Sequence, residues 1–194
     1  MTHHPESAPN LRLRPWASRL ALLVAAVSAV ATSQATSADL TSEPYTGRAV
    51  QLTPDAPKAQ VPFVVAATAT KSPDKLAEAE VTVLVSATWT PTNPEQAARP
   101  WVRATLSEGD SEFTGPEASG VLVAGQSVTF QVHDYLGRDC TLGTRCEWAP
   151  KLNLELQPGA APGTVEVVWT ATASAHVVDT SSTPKGFAVI VSEP

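Results

Sequence analysis

Two cysteines are the first residues whose type and spacing suggest chemistry. Cys140 and Cys146 are the only thiols in the 194 residues, and five residues, including Gly143, separate them. Redox pairs usually have the shorter Cys-X-X-Cys spacing, and a metal site needs more cysteine or histidine ligands than this segment offers. An even cysteine count behind an export signal indicates a disulfide. We therefore predict a structural bridge that pins a hairpin tip, with Gly143 at positive φ in the bend.

The segment around these cysteines is dense in charged and aromatic side chains, whereas only 16% of the whole chain is charged. Binding residues concentrate on loops that a rigid scaffold carries, and a cross-linked loop loses less entropy on binding. We predict that residues 133–148 form the interaction surface. The alternative is a solvated connection whose charges pair with one another. The candidate side chains are His133, Asp134, Tyr135, Arg138, Asp139, Arg145, Glu147 and Trp148.

Carboxylates cluster earlier in the chain, within residues 107–117. Calcium takes about 6–8 oxygen ligands, so Glu108, Asp110 and Glu112 are a weak calcium candidate. Their spacing lacks the alternating acids and distal glutamate of an EF-hand. An acidic surface loop is the simpler interpretation, and we predict neither a metal ion nor a cofactor.

Tryptophans suggest a different kind of site. Trp101 and Trp148 lie outside the longest alternating apolar runs, so they are candidates for stacking against sugar rings. Trp89 and Trp169 occupy apolar positions of such runs and are predicted to be core residues.

Patterns for catalysis are absent from the sequence. Only His133 and His176 occur after the N-terminal region, and both fall on polar positions. There is no Gly-X-Ser-X-Gly elbow, no His-Glu-X-X-His pair and no glycine-rich phosphate loop. We therefore predict that the protein is not an enzyme, with a secreted hydrolase as the weakest alternative.

The elements that position these residues are predicted to be strands. Apolar side chains alternate with hydroxyl side chains through 80–90 and 164–176, which is typical of strands with one buried face. Proline and glycine punctuate the chain between such segments. The pattern predicts an all-β, antiparallel, immunoglobulin-like β-sandwich of about 7–9 strands. Further strands are predicted at 61–70, 101–106, 120–124, 127–133, 152–156 and 187–191, with a candidate edge strand at 47–52.

One hairpin carries a family resemblance. A strand at 152–156 runs into the corner Pro158-Gly159, and Pro162-Gly163-Thr164 then opens an alternating strand. The segment 152–173 resembles the penultimate hairpin of bacterial secreted immunoglobulin-like and fibronectin-III-like modules. The resemblance implies a sandwich with an adhesion, spacer or ligand-binding role, and it implies no particular site residues. Unlike antibody domains, the chain has no cysteine pair spaced to bridge two sheets and no tyrosine corner.

The N-terminal region has the pattern of an export signal. Arg12, Arg14 and Arg19 precede an uncharged apolar run at 20–31, and small residues follow. This is the order of a cleavable Sec-type signal peptide, and the run is too short to span a bilayer. We divide the chain into a signal peptide (1–38), a Pro/Thr/Ser-rich leader (39–60) and a sandwich domain (61–194). Cleavage after Ala31, Ala35 or Ala38 fits the small-residue rule.

Charge and hydropathy disfavour two classes of partner, nucleic acids and membranes. The net charge of −6 disfavours nucleic acid, and no apolar run is long enough to anchor the chain in a membrane after signal cleavage. We predict a non-catalytic exported module, periplasmic or extracellular, with a protein-interaction or envelope-structural role. Its partner is an unknown protein or envelope polymer. The alternative is a carbohydrate- or calcium-binding module.

Overall fold

Strands make up every regular element that the structure describes. The computed structural model describes residues 35–95, 97–108, 115–136 and 140–194, so all but the last four residues of the predicted signal peptide lie outside it. Neighbouring strands pair antiparallel, and the predicted all-β sandwich is confirmed. Within the described ranges, no helix is long and apolar enough to cross a membrane.

The described residues contain more strands than predicted, because the predicted segment 61–70 is divided in two and because four short strands form outside the predicted segments. They are β1 (Leu40–Thr41), β2 (Tyr45–Thr46), β3 (Val50–Leu52), β4 (Lys58–Pro62), β5 (Val64–Thr68), β6 (Lys75–Pro91), β7 (Trp101–Glu108), β8 (Glu117–Val121), β9 (Ser127–Tyr135), β10 (Cys140–Leu142), β11 (Arg145–Trp148), β12 (Pro150–Leu156), β13 (Gly163–Val177) and β14 (Ala188–Ser192).

The first sheet is built on the two longest strands. β6 and β13 pair from Gly163 opposite Pro91 to Val177 opposite Ala77. β9 and β10 follow the other side of β6, and β1, β2 and β3 follow one another along the other side of β13. The predicted strands at 80–90 and 164–176 thus become the centre of this sheet.

Alternation along β6 explains why it forms a strand. Val81, Val83 and Val85 have no exposed surface and pack in the core, whereas the intervening Leu84 is 48% exposed. Fully burying a valine side chain stabilises a fold by about 1.5–3 kcal/mol. β13 repeats the pattern with Val165, Val167 and Trp169 inside, so the core holds both strands in a single register.

Two smaller sheets cover the other side of the core. The second sheet has the order β4-β12-β7-β8, and the third has the order β11-β5-β14. Phe63 interrupts the strand segment shared by β4 and β5, and its backbone N–H donates to the carbonyl of Pro150 at 3.1 Å. Residues from all three sheets form one hydrophobic cluster.

The packed domain begins earlier than the predicted leader, and Thr36–Pro194 forms one compact unit. Ser37 and Ser42 are 5% and 7% exposed. Ser37 donates its backbone N–H to the Val177 carbonyl at 2.9 Å, and its hydroxyl accepts the Val177 N–H at 2.9 Å. Ser42 donates its backbone N–H to the Ala173 carbonyl at 2.8 Å, and its hydroxyl accepts the Ala173 N–H at 3.0 Å. The serines keep this segment on β13 where regular pairing breaks.

The predicted disulfide between Cys140 and Cys146 is confirmed, with the two Cα atoms 5.9 Å apart. Its position corrects the expectation that no cysteine pair in this chain is spaced to bridge two sheets. Cys140 lies opposite Ala77 of the first sheet, and Cys146 lies opposite Ala67 of the third sheet. A bridge that is short in sequence therefore joins two sheets, because the chain passes from the first sheet to the third between β10 and β11. Gly143 is not among the residues at positive φ.

Candidate functional site

An open trough of about 640 Å³ lies on the outer face of the second sheet. Outward side chains from all four strands line it, because alternation sends every second residue away from the core. Thr105 and Ser107 at its centre are short and only 9% exposed. Longer side chains surround them, so the face is concave. The polar lining consists of Lys58, Gln60, Arg103, Thr105, Ser107, Glu117, Asn153 and Glu155.

One row of hydrogen bonds crosses the trough through amides. Gln60 Nε2 donates to Asn153 Oδ1 at 2.8 Å, and Asn153 Nδ2 donates to Ser107 Oγ at 2.9 Å. Strand register creates the row, since Asn153 lies opposite Gln60 of β4 and next to β7. The row fixes the orientation of both amides on a rigid sheet.

A second row crosses the trough through charges. Lys58 Nζ lies 3.3 Å from Glu155 Oε1, Arg103 pairs with the other oxygen of Glu155, and Arg103 Nη1 lies 3.2 Å from Glu117 Oε2. The hydrogen bond from Arg103 holds the pKa of Glu155 below its usual value, although desolvation opposes this, and Lys58 lowers that pKa further. The positive charges of the two basic side chains are therefore balanced by the negative charges of the two carboxylates.

Trp101, a predicted stacking residue, lies on the same face of β7 as Arg103 but is not among the residues that line the trough. The guanidinium carbon of Arg103 lies 5.5 Å from the centroid of its ring, a distance typical of cation–π contacts. The Trp101 backbone N–H donates to Gln157 Oε1 at 3.2 Å. The indole is half-buried, so part of its apolar surface stays exposed.

Trp148, the other predicted stacking residue, is a core residue. It is 2% exposed, because Cys146 and Trp148 point inward from β11 while Arg145 and Glu147 point outward. This alternation was visible in the sequence. Within the described part of the chain, Trp148 Nε1 is the buried side-chain nitrogen or oxygen that has no hydrogen-bond partner.

The side chains of the predicted interaction loop are spread over two sheets and a stretch outside the described residues. His133 and Tyr135 lie on β9 of the first sheet, with ring centroids 5.2 Å apart, and Tyr135 is 71% exposed. Arg145 and Glu147 lie on the third sheet and pair with each other, Nε to Oε1 at 2.7 Å. Asp134 accepts the backbone N–H of Tyr135 at 2.9 Å. Arg138 and Asp139 lie outside the described residues.

The weak calcium candidate gains no support. Glu108 ends β7, whereas Asp110 and Glu112 lie outside the described residues. In the ranges that the structure covers, no group of three or more histidine, cysteine, aspartate or glutamate residues is arranged to hold a metal ion.

His176 lies between two carboxylates at one end of the first sheet. Its Nδ1 is 2.8 Å from Asp39 Oδ1, and its Nε2 is 3.3 Å from Glu78 Oε2. Ser174, two residues earlier on the same face, donates its hydroxyl to Glu80 at 2.9 Å. The serine is therefore bonded to a carboxylate and not to the imidazole, so this cluster lacks the contact between nucleophile and base that covalent catalysis needs.

The trough was not predicted from the sequence. Asn153 and Glu155 alternate with Leu152 and Leu154, which indicates outward polar positions on β12. Their partners lie far away in sequence, and Gln60 is 93 residues from Asn153. No local pattern gives that pairing.

No protein-family model and no curated protein matches the chain. Among solved structures, it is similar to a chain of Broad Bean Stain Virus at 8% identity, over 74% of this chain and 89% of that one, with a TM-score of 0.31. A chain of infectious bursal disease virus, Gx strain, is similar at 11% identity, over 82% of this chain and 35% of that one, with a TM-score of 0.31. Likeness at these TM-scores carries no argument about family or function.

Proposed function

We propose that the protein is an exported, non-catalytic binding module of the immunoglobulin-like kind, which contacts an envelope polymer through the trough. The observation that carries the proposal is the pre-ordered polar face of the second sheet. Hydrogen bonds already fix Gln60, Asn153 and Ser107, so these side chains lose little further entropy when a partner binds.

The shape of the trough supports a polymer as the partner. Sites for small molecules are usually enclosed and mostly apolar, whereas this face is open and eight of the ten residues that line it are polar or charged. A partner that lies across the strands would contact several rows of side chains at once. The disulfide between Cys140 and Cys146 suits an oxidising compartment, which is compatible with the proposed export.

A second contact surface is supported by a single observation. Tyr135 is the most exposed of the large hydrophobic side chains in the described residues, at 71%, and it packs edge-on against His133. Exposed tyrosines that other rings hold in place are common at protein interfaces. A protein partner would dock on this pair rather than on the trough.

The test is binding of the purified exported chain to the envelope fraction of its source. We expect the double variant Gln60→Ala/Asn153→Ala to lose at least tenfold in affinity. The matched control, Thr129→Ala/Gln131→Ala, removes a hydroxyl and an amide from the outer face of β9 and should bind as the wild type does. Equal binding by the two double variants would contradict the role of the trough, and loss on changing Tyr135→Ala alone would favour a protein partner.

A further inference from the structure

We infer that the ligand of the trough is an uncharged glycan chain. The inference rests on the proposed function, because it names the chemical class of the polymer that the trough binds.

Charge compensation argues for a neutral ligand. Lys58, Arg103, Glu117 and Glu155 form a continuous row of ion pairs. An anionic or cationic ligand would have to compete with these internal partners. A neutral ligand only needs to add hydrogen bonds to the atoms that the ion pairs leave available.

The hydrogen-bonding groups argue for a ligand that is rich in hydroxyls. Each primary amide carries two hydrogens, of which the row uses one in Gln60 and one in Asn153. Carboxylate oxygens have further lone pairs, and the guanidinium is a planar fork of donors. A sugar hydroxyl both donates and accepts, so neighbouring hydroxyls of one ring can pair with such planar groups.

The strands argue against a peptide. β12 pairs with β4 and β7, and β7 also pairs with β8, so the two central strands have no free edge at which a peptide could add as a strand. The lining of the trough includes the hydroxyl side chains of Thr105 and Ser107, which are not pockets for apolar side chains. Its apolar residues are Ala59 and Leu154.

Dimensions and Trp101 argue for a chain of sugars. Four strands at a spacing of about 4.8 Å place the outer two about 14 Å apart, which exceeds a single sugar ring. On the same face of β7, the guanidinium carbon of Arg103, which lines the trough, lies 5.5 Å from the centroid of the Trp101 ring. The apolar C–H face of a sugar can pack against such a ring.

The test is affinity electrophoresis through gels that contain dextran, laminarin, galactomannan or hydroxyethyl cellulose, with alginate and heparin as charged comparisons. We expect retardation by at least one neutral polysaccharide, unchanged at high salt because no ion pair forms with the ligand. Gln60→Ala/Asn153→Ala should abolish retardation, and Thr129→Ala/Gln131→Ala should not. Retardation by the charged polymers alone would overturn the inference.

One comparison separates the two proposals. The wild type and both double variants are also tested on envelope fractions before and after periodate oxidation, which cleaves vicinal diols of sugars. Binding that requires Gln60 and Asn153 but survives periodate, with no retardation by any neutral polysaccharide, would overturn the glycan inference and support the trough as the contact surface. Envelope binding that both double variants retain would overturn the proposed function itself.

Discussion

Ser37 shows how a single hydroxyl keeps the N-terminal segment on the sheet. Its side chain accepts the backbone N–H of Val177 at 2.9 Å in a buried position, so it replaces a backbone carbonyl where pairing is irregular. A buried N–H without a partner costs about 1–3 kcal/mol. The hydroxyl therefore contributes to the attachment of this stretch to β13.

We predict that Ser37→Ala lowers the free energy of unfolding by about 1–2 kcal/mol. Urea denaturation of wild type and variant measures the difference. Thr41→Ala is the control, because Thr41 is an exposed residue of β1 and its change should cost little. Equal stability of Ser37→Ala and the wild type would show that water or a shifted backbone satisfies Val177.

The free energy of unfolding is expected to depend on pH through Glu155. Arg103 and Lys58 lower its folded pKa from the usual 4.5. A carboxylate with a depressed folded pKa stabilises the fold above its unfolded pKa, and that contribution disappears as the pH falls through the folded value. The ion pair between Arg103 and Glu155 should therefore weaken as the pH falls.

We predict that Glu155→Gln is less stable than the wild type by about 1 kcal/mol at neutral pH, and that the difference disappears as the pH falls below 4.5. Urea midpoints across this range provide the measurement. Glu166→Gln, which changes an exposed carboxyl of β13, should differ little from the wild type throughout. A loss for Glu155→Gln that is independent of pH would indicate packing and not charge.

At the scale of elements, the connection between β10 and β11 passes from the first sheet to the third. The disulfide closes only a short loop, since its cysteines are six positions apart. Restricting such a loop in the unfolded chain stabilises the fold by about 2 kcal/mol in the chain-entropy model. The same bond keeps two sheets together at this end of the core.

We predict that Cys140→Ser/Cys146→Ser lowers the free energy of unfolding by about 2 kcal/mol. Thermal melts of the variant and of the reduced wild type should agree. The oxidised native protein should not react with a maleimide until it is reduced. Reaction of two thiols in the native, unreduced protein would contradict the bridge.

Strands were predictable where their alternation is long. The segments 80–90 and 164–176 became β6 and β13 with only their ends extended. The predicted strand 61–70 was less exact, because Phe63 turns inward and divides the segment into β4 and β5. The trough was not predictable, because Ser107 and Asn153 are 46 residues apart and meet only through strand register.

At the scale of the whole molecule, the N-terminal boundary of the packed domain bears on where the predicted signal peptide is cleaved. Thr36 forms a bridge with Val178, and Ser37 is buried. Cleavage after Ala38 would remove both residues from the first sheet, whereas cleavage after Ala35 would leave them in place. The compact unit begins at Thr36.

Under the proposed export, we predict that the mature protein begins with Thr36. N-terminal sequencing or intact mass of the secreted chain measures this directly. A mature chain that begins at Asp39 would show that the bonds of Ser37 are dispensable, and the Ser37→Ala variant should then be as stable as the wild type.

The position of the N-terminal segment on β13 also sets the order in which the chain can fold. Ser37 and Val177 are 140 residues apart in sequence, so β1, β2 and β3 cannot pair with β13 until nearly the whole domain has been synthesised. Contacts of such long range slow folding, because a large loop must close first. The earliest part of the domain to leave the ribosome is therefore among the last to find its partner.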